Sequence, residues 1–138
     1  MGLDLGTTNS LVSVFTEDGP VLIRNALGSF MTPSAVGYSD DGTLLIGQAA
    51  KDRLVTHPKL TTARFKRYMG TNHEATLGKK KYRAEELSAL ILRSLKDDAE
   101  THLGHAVTRA IISVPAYFND VQRLSLIHIS EPTRLWTI

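Results

Sequence analysis

Apolar and polar positions alternate over the first part of the chain, which is the pattern of short strands. Leu3 and Leu5 alternate with Gly2 and Asp4, and an apolar run follows at positions 11–15. Connections as short as those between these segments join antiparallel neighbours. We therefore predict an antiparallel meander whose three strands cover residues 2–5, 11–16 and 21–24, with a polar turn at 17–20.

Beyond the meander, the pattern predicts a second hairpin and then two short helices. Thr32-Pro33 marks a change of direction, and strands are predicted at 35–38 and 44–46. From Gln48 the period becomes helical, and this helix ends before His57 because Pro58 disfavours helical backbone there. Another helix is predicted at 62–69, closed by Gly70, and residues 71–81 are expected to be irregular.

The strongest periodicity in the chain predicts a long helix over residues 84–103. Its apolar stripe follows steps of three and four residues and consists of Leu87, Leu90, Ile91, Leu95, Ala99 and Leu103. The uninterrupted apolar run 110–112 then predicts that residues 109–114 form a strand buried on both faces. Because a helical crossover precedes it, this strand can lie parallel to the first. Pro115 ends the strand, and Asn119 is placed to begin a further helix.

Composition narrows the class of protein without identifying its chemistry. The chain has 138 residues, of which 42% are hydrophobic and 22% charged, so it suits one globular domain at most. A net charge of +2 is too small to indicate a nucleic-acid partner. The lack of cysteine excludes disulfides and thiolate metal sites. No apolar run is long enough to cross a membrane and no secretory segment follows Met1, so we expect a cytoplasmic protein without a membrane partner.

The candidate chemistry lies in the bend Gly6-Thr7-Thr8-Asn9, between the first two strands. Gly6 allows the backbone to turn and leaves room for a ligand. Successive amides in such a bend can form a concave site for an anion, usually phosphate. The carboxylate of Asp4 would repel a polyphosphate unless a divalent cation lay between them, which indicates Mg²⁺ bound directly or through water. The same residues also fit an ordinary hairpin turn, and the chain has no P-loop pattern.

A family resemblance favours the phosphate interpretation. Asp-Leu-Gly-Thr-Thr-Asn-Ser at 4–10 resembles the first phosphate motif of the actin-like ATPases, most closely that of DnaK-type heat-shock chaperones. Residues 65–70 (Phe-Lys-Arg-Tyr-Met-Gly) and 112–120 (Ile-Ser-Val-Pro-Ala-Tyr-Phe-Asn-Asp) are also similar to that family. The helix sequence 86–96 is closest to the HscC branch. The resemblance covers residues 1–123.

The resemblance implies an α/β fold of the actin-like ATPase (ribonuclease-H-like) type, with the first lobe only. Residues 1–33 and 84–123 would form the core subdomain of that lobe, and 34–83 an inserted smaller subdomain. In the complete protein, ATP hydrolysis would drive the binding and release of unfolded peptides. The implied partners are a nucleotide, those peptides, a J-domain co-chaperone and a nucleotide-exchange factor.

The resemblance also implies roles for single residues. Gly6, Thr7, Thr8 and Asn9 would bind the phosphates of ATP or ADP, and Asp4 would hold Mg²⁺ through water. Lys66 would be the catalytic residue, because a compact ammonium suits a phosphoryl group whose oxygens gain charge. These roles require the Lys66 ammonium to lie near the bend. The proline and arginine that relay nucleotide state between domains in the family would be Pro115 and Arg123.

The sequence is also compatible with two other functions. A sugar kinase of the same superfold has a similar opening motif, although the stretches at 65–70 and 112–120 argue against it. An actin-like filament protein would share the fold but serve a structural role, and no feature of the sequence favours it.

The resemblance ends at Leu124. Residues 124–130, Leu-Ser-Leu-Ile-His-Ile-Ser, resemble the translation of a transposase-based sequencing adapter. We therefore expect 124–138 to be a non-native tail on a truncated reading frame, the alternative being a divergent helix or strand. Without its usual neighbour, the strand at 109–114 is expected to present a bare apolar edge. We also expect this chain alone, which would hold only the first lobe, to bind ATP weakly or not at all.

Overall fold

The computed structural model describes residues 1–113, 119–121 and the backbone of 134–137, and these residues contain three β-sheets. The strands are β1 (Gly2–Leu5), β2 (Asn9–Thr16), β3 (Gly19–Leu22), β4 (Thr32–Pro33), β5 (Ala35–Tyr38), β6 (Leu44–Ile46), β7 (Thr61–Ala63), β8 (Glu74–Leu77), β9 (Lys80–Arg83), β10 (Arg109–Ser113) and β11 (Arg134–Thr137). The α-helices are α1 (Gln48–Lys51) and α2 (Ala84–Leu103), and a 3-10 helix covers Phe65–Tyr68.

The main sheet has the order β11-β10-β1-β2-β3, with β4 also paired to β2. The antiparallel meander of β1, β2 and β3 is confirmed, although β2 begins at Asn9 and β3 covers Gly19–Leu22 rather than 21–24. β10 lies parallel to β1, as predicted from the crossover, with Leu3 opposite Ile112. Leu5 pairs with Ser10, which leaves the four residues of the candidate bend between them.

Helix α2 has the bounds that its apolar stripe predicted, and it packs on β1 and β2. The core contains side chains from both layers, including Leu3, Leu5, Val12, Val14, Leu87, Ile91, Leu95 and Ile112. The prediction that β10 is buried on both faces was wrong. Its side chains alternate, since Ala110 and Ile112 are buried while Ile111 is 37% exposed. The alternation arises because α2 covers one face of the sheet.

The outer edge of β10 is not bare, which corrects the expectation drawn from the sequence. The backbone of β11 pairs with it in parallel, placing Arg109 opposite Arg134 and Ile112 opposite Thr137. A strand edge left unpaired presents free N–H and C=O groups, and this pairing satisfies them along most of β10. This pairing does not test where residues 124–138 come from, and their non-native origin stays a prediction.

Two smaller sheets are formed between β4 and α2 in the sequence. The hairpin of β5 and β6 is confirmed, and β7 adds to its other side in antiparallel orientation. The predicted helix at 62–69 was wrong, because β7 and the 3-10 helix occupy that stretch. The prediction of an irregular segment at 71–81 was also wrong, because β8 and β9 form a hairpin there around Gly78, whose φ is 64°.

The fold is therefore mixed α/β with several sheets. The helix predicted to begin at Asn119 is present in the two described residues that follow it, Asp120 and Val121. Within the described part of the chain, no helix has the length and apolar character needed to cross a membrane.

Candidate functional site

The bend after β1 depends on glycine for a reason that the sequence did not reveal. A Cβ at Gly6 would lie 2.1 Å from the carbonyl oxygen of Asn9, well inside any tolerable contact. Gly6 does not have a positive φ, so left-handed backbone is not the cause. The two arms of the hairpin approach each other so closely at this point that only glycine fits. The bend is therefore a tight structure with a fixed path.

The next two residues present polar groups to solvent. Thr7 and Thr8 are exposed, and neither amide donates a hydrogen bond to any group in the described part of the chain. Asn9 is half-buried and lies opposite Pro33 in the pairing of β2 with β4. The bend thus offers amides and two hydroxyls on its outer side, which is the donor set that a phosphate group requires.

Lys66 lies far from the bend in the sequence, but its side chain reaches the start of the bend. Its Nζ donates a hydrogen bond to the carbonyl oxygen of Leu5, the residue immediately before Gly6. The lysine lies in the 3-10 helix, which follows Arg64 in left-handed conformation at φ 58°. This path buries the Lys66 side chain to 6% exposure and brings its ammonium to the end of β1.

The electrostatics of the lysine follow from that position. Burial lowers the pKa of Lys66 from its ordinary value, and the negative charge of Asp4 opposes the shift. Asp4 is exposed, on the opposite face of β1 from the buried Leu3 and Leu5. A buried cation and an exposed carboxylate therefore both lie at the end of β1, next to the amides of the bend.

The segment that carries Lys66 is anchored to α2. The amide of Gly70 donates to Glu85 Oε1 at 2.8 Å, and Arg83 Nη2 donates to the Thr71 carbonyl at 2.7 Å. Phe65 and Met69 are buried in the core on either side of the lysine. Glu85 itself lies in the first turn of α2. Its hydrogen bond with Gly70 fixes the end of the lysine segment.

These residues fit a nucleotide phosphate with a magnesium ion. Backbone amides, hydroxyls and an ammonium are ligands for an anion, and an exposed carboxylate is a ligand for Mg²⁺. Among the described residues no group of three or more His, Cys, Asp or Glu side chains could hold a metal by itself. Because Mg²⁺ is commonly bound by one or two carboxylates together with phosphates and water, a single Asp4 is sufficient for that role.

One buried residue that contacts the bend was missed by sequence reasoning. The hydroxyl of Ser34, directly after β4, donates to the Gly6 carbonyl at 2.8 Å. The sequence indicated only a change of direction at Thr32-Pro33. The available signal was a small hydroxyl residue at the start of the apolar strand β5, where a polar side chain needs a buried partner.

The two residues proposed as an interdomain relay, Pro115 and Arg123, lie outside the described residues. The structure therefore brings together Asp4, the bend and Lys66, and leaves the relay as a prediction.

Comparison with known families gives one match that covers most of the chain. A family model described as Hsp70 protein matches residues 1–77 and 73–130. The first match includes the bend and Lys66. The second includes α2 and β10 and continues past Arg123 to residue 130, into the segment set apart above as a tail.

Proposed function

This chain belongs to the Hsp70 family of chaperone ATPases, which have the actin-like fold, and we propose that it is the N-terminal part of an ATP-dependent chaperone. In the complete protein, hydrolysis of ATP would drive the binding and release of unfolded peptides. The observation that carries this proposal is the hydrogen bond from Lys66 Nζ to the Leu5 carbonyl. It joins two motifs that are 61 positions apart in the sequence.

Each part of the site has a role in this proposal. The amides and hydroxyls of Thr7 and Thr8, together with Gly6 and Asn9, bind the phosphates of ATP or ADP. Lys66 stabilises the charge that develops on the transferred phosphoryl group, and Asp4 holds Mg²⁺ through water. Bound Mg²⁺ would neutralise phosphate charge. The acceptor-free amides of Thr7 and Thr8 support the phosphate assignment.

The proposed function also includes the subdomains of the first lobe, the relay between domains and the partners of the complete protein. Residues 1–33 and 84–123 form the core subdomain of the first lobe, and 34–83 the inserted subdomain. Pro115 and Arg123 relay nucleotide state to a peptide-binding domain. The partners are unfolded peptides, a J-domain co-chaperone and a nucleotide-exchange factor, in a cytoplasmic protein of the HscC branch.

The test is an ATPase assay on the product of the full-length gene. Lys66→Ala should reduce turnover by about a hundredfold or more while leaving the protein folded, because a charge-stabilising group is lost. Lys51→Ala removes an exposed lysine in α1 and serves as the matched control. Unchanged turnover in Lys66→Ala would exclude the catalytic role.

The same preparation separates the other candidate functions. Hydrolysis stimulated by unfolded peptide supports the chaperone. Transfer of the γ-phosphate to a sugar would instead identify a kinase, and nucleotide-dependent sedimentation would identify a filament protein. The isolated 138-residue chain is expected to bind Mg-ATP weakly or not at all in calorimetry, and micromolar binding would contradict that expectation.

A further inference from the structure

Ser34 belongs to none of the sequence motifs, but it forms several hydrogen bonds around the bend. Its amide donates to the Thr8 carbonyl at 2.9 Å, and its hydroxyl donates to the Gly6 carbonyl at 2.8 Å. Its Oγ also lies 2.8 Å from Ser10 Oγ. Both serines are buried, at 3% and 0% exposure. One residue outside the bend thus contacts two of its carbonyls.

The direction of these hydrogen bonds is determined. A serine hydroxyl has one hydrogen, and a carbonyl oxygen can only accept. Since Ser34 gives its hydrogen to the Gly6 carbonyl, Ser10 must be the donor in the contact between the two hydroxyls. The result is an ordered chain of hydrogen bonds from Ser10 through Ser34 to Gly6.

This chain sets the orientation of the amides that follow each carbonyl. In a trans peptide unit, the C=O and the N–H point in opposite directions. Because the Gly6 carbonyl points toward Ser34, the Thr7 amide points away from it. The Thr8 carbonyl points toward the Ser34 amide, so the Asn9 amide also points away from Ser34.

The position of Ser34 beside the bend depends on the pairing of β4 with β2. Thr32 and Pro33 pair with Ser10 and Asn9 of β2, so the chain runs antiparallel alongside the bend before Ser34 reaches it. The position is therefore held by backbone pairing as well as by the side chain.

We propose that Ser34, oriented by Ser10, is a positioning residue that turns the Thr7 and Asn9 amides toward a bound phosphate. The proposal rests on the proposed function in one respect, which is that the ligand of the bend is a phosphate. Ser34 itself contacts no ligand. It acts by holding the Gly6 and Thr8 carbonyls away from the anion, whose oxygens they would otherwise repel.

The first measurement requires no ligand. In ¹H–¹⁵N spectra of the whole chain, Ser34→Ala should shift or broaden the Thr7 amide signal selectively, because the Gly6–Thr7 peptide unit loses the bond that fixes it. Ser88→Ala is the matched control, since Ser88 is also a fully buried serine and its Oγ has no partner in the described part of the chain. An unchanged Thr7 signal in folded Ser34→Ala would overturn the proposal.

The second measurement uses magnesium tripolyphosphate as the probe, titrated into full-length proteins that carry the same substitutions, because the 138-residue chain alone is expected to bind nucleotide weakly or not at all. In the wild type, the Thr7 and Asn9 amide signals should move. Ser34→Ala should weaken the affinity by about tenfold, the size expected when a buried carbonyl loses its hydrogen bond and the facing amide its alignment. Equal weakening in Ser88→Ala would contradict a specific role for Ser34.

The outcomes separate the two proposals. Ligand-free changes at Thr7 in Ser34→Ala, together with no response of the full-length wild type to tripolyphosphate, would support the positioning of the bend and count against phosphate as its ligand. If Ser34→Ala does not fold, Ser10→Ala carries the test. That variant removes only the donor to Ser34, and it should change the Thr7 signal more than Ser88→Ala does. A Thr7 signal no more altered than in Ser88→Ala would refute the proposal.

Discussion

At the scale of single residues, the site contains a group that costs stability. Lys66 is buried, and transfer of an ammonium from water to the interior disfavours its charged form. The carbonyl of Leu5 and the charge of Asp4 compensate only in part, because the pKa of Lys66 remains lowered. A buried charge that lowers the stability of the folded chain is expected where that charge binds a ligand.

The first prediction follows from that lowered pKa. The unfolded chain binds a proton at Lys66 up to its ordinary pKa of 10.5, whereas the folded chain releases it earlier. Between those two pKa values the unfolded state binds more protons, so the free energy of unfolding rises with pH. We expect the wild type to gain stability relative to Lys66→Met as the pH approaches 10.5.

Urea denaturation of both proteins across a pH series measures this difference. Lys51→Met, which removes an exposed lysine, should follow the wild type throughout. A stability difference between the wild type and Lys66→Met that stays constant with pH would show that the ammonium is not desolvated in the folded chain.

The second prediction concerns the close approach at Gly6. Gly6→Ala would force its Cβ against the Asn9 carbonyl, and backbone cannot move aside easily, so we expect a loss of about 2 kcal/mol or more in stability. Gly2→Ala, at the other end of β1, is the matched control, because its Cβ would meet Ser13 Oγ at 2.7 Å, which a rotamer change can relieve. Chemical denaturation should show the larger loss for Gly6→Ala. Equal losses would argue against the tight bend.

At the scale of elements, one pair of side chains joins two of the sheets. Tyr38 ends β5 and Tyr82 lies in β9, and their hydroxyls are hydrogen-bonded to each other. Their ring centroids are 6.4 Å apart, and Lys80 Nζ lies 5.6 Å from the Tyr38 ring. The hydrogen bond to Tyr38, with a smaller effect of burial, raises the pKa of Tyr82 to about 12.

The third prediction uses that raised pKa. Tyr38→Phe removes the partner hydroxyl, so the pKa of Tyr82 should fall toward its ordinary value of 10.0. The readout is the tyrosinate absorbance, whose late transition should disappear in this variant and persist in Tyr68→Phe. In the wild type, the stability that the pair contributes is present below pH 10.0 and is lost as the pH rises toward 12. A late transition that survives Tyr38→Phe would refute the assignment.

The elements also show what a sequence pattern can and cannot predict. Helix α2 was predicted with its observed bounds because twenty residues repeat one apolar period without interruption. The stretch 62–69 was misread as helix because Thr62 pairs with Val36 across the sheet, and such pairing overrides local propensity. The hairpin of β8 and β9 was missed because Lys80 and Lys81 are exposed and give β9 no apolar alternation.

In the candidate site too, the sequence pattern predicted some residues and missed another. The motif at 4–10 and Lys66 were predicted as site residues because their sequences are distinctive. Ser34 was not, because a single serine carries no pattern, and its contacts with Gly6 and Thr8 exist only once β4 has paired with β2. Residues that position others through backbone contacts leave little signal in one sequence.

At the scale of the whole molecule, the main sheet is covered unevenly in the described part of the chain. Helix α2 buries one face, while the other carries apolar side chains that include Phe15, Leu22 and Ile111, which are 63%, 47% and 37% exposed. The outer edge beside Ile111 is paired by β11. Residues 134–137 therefore cover the β10 edge in this chain, whatever their origin.

The fourth prediction is that removing residues 124–138 promotes self-association. Deletion of β11 leaves the outer N–H and C=O groups of β10 unpaired, and an unpaired edge beside exposed apolar residues is a template for pairing with another chain. Sedimentation velocity across a concentration series should show larger species for the truncated chain than for the intact one. Ile111→Lys in the truncated chain should restore the smaller species, because a charge on an exposed edge position opposes strand addition. Identical sedimentation of the truncated and intact chains would mean that β11 does not protect the β10 edge in solution.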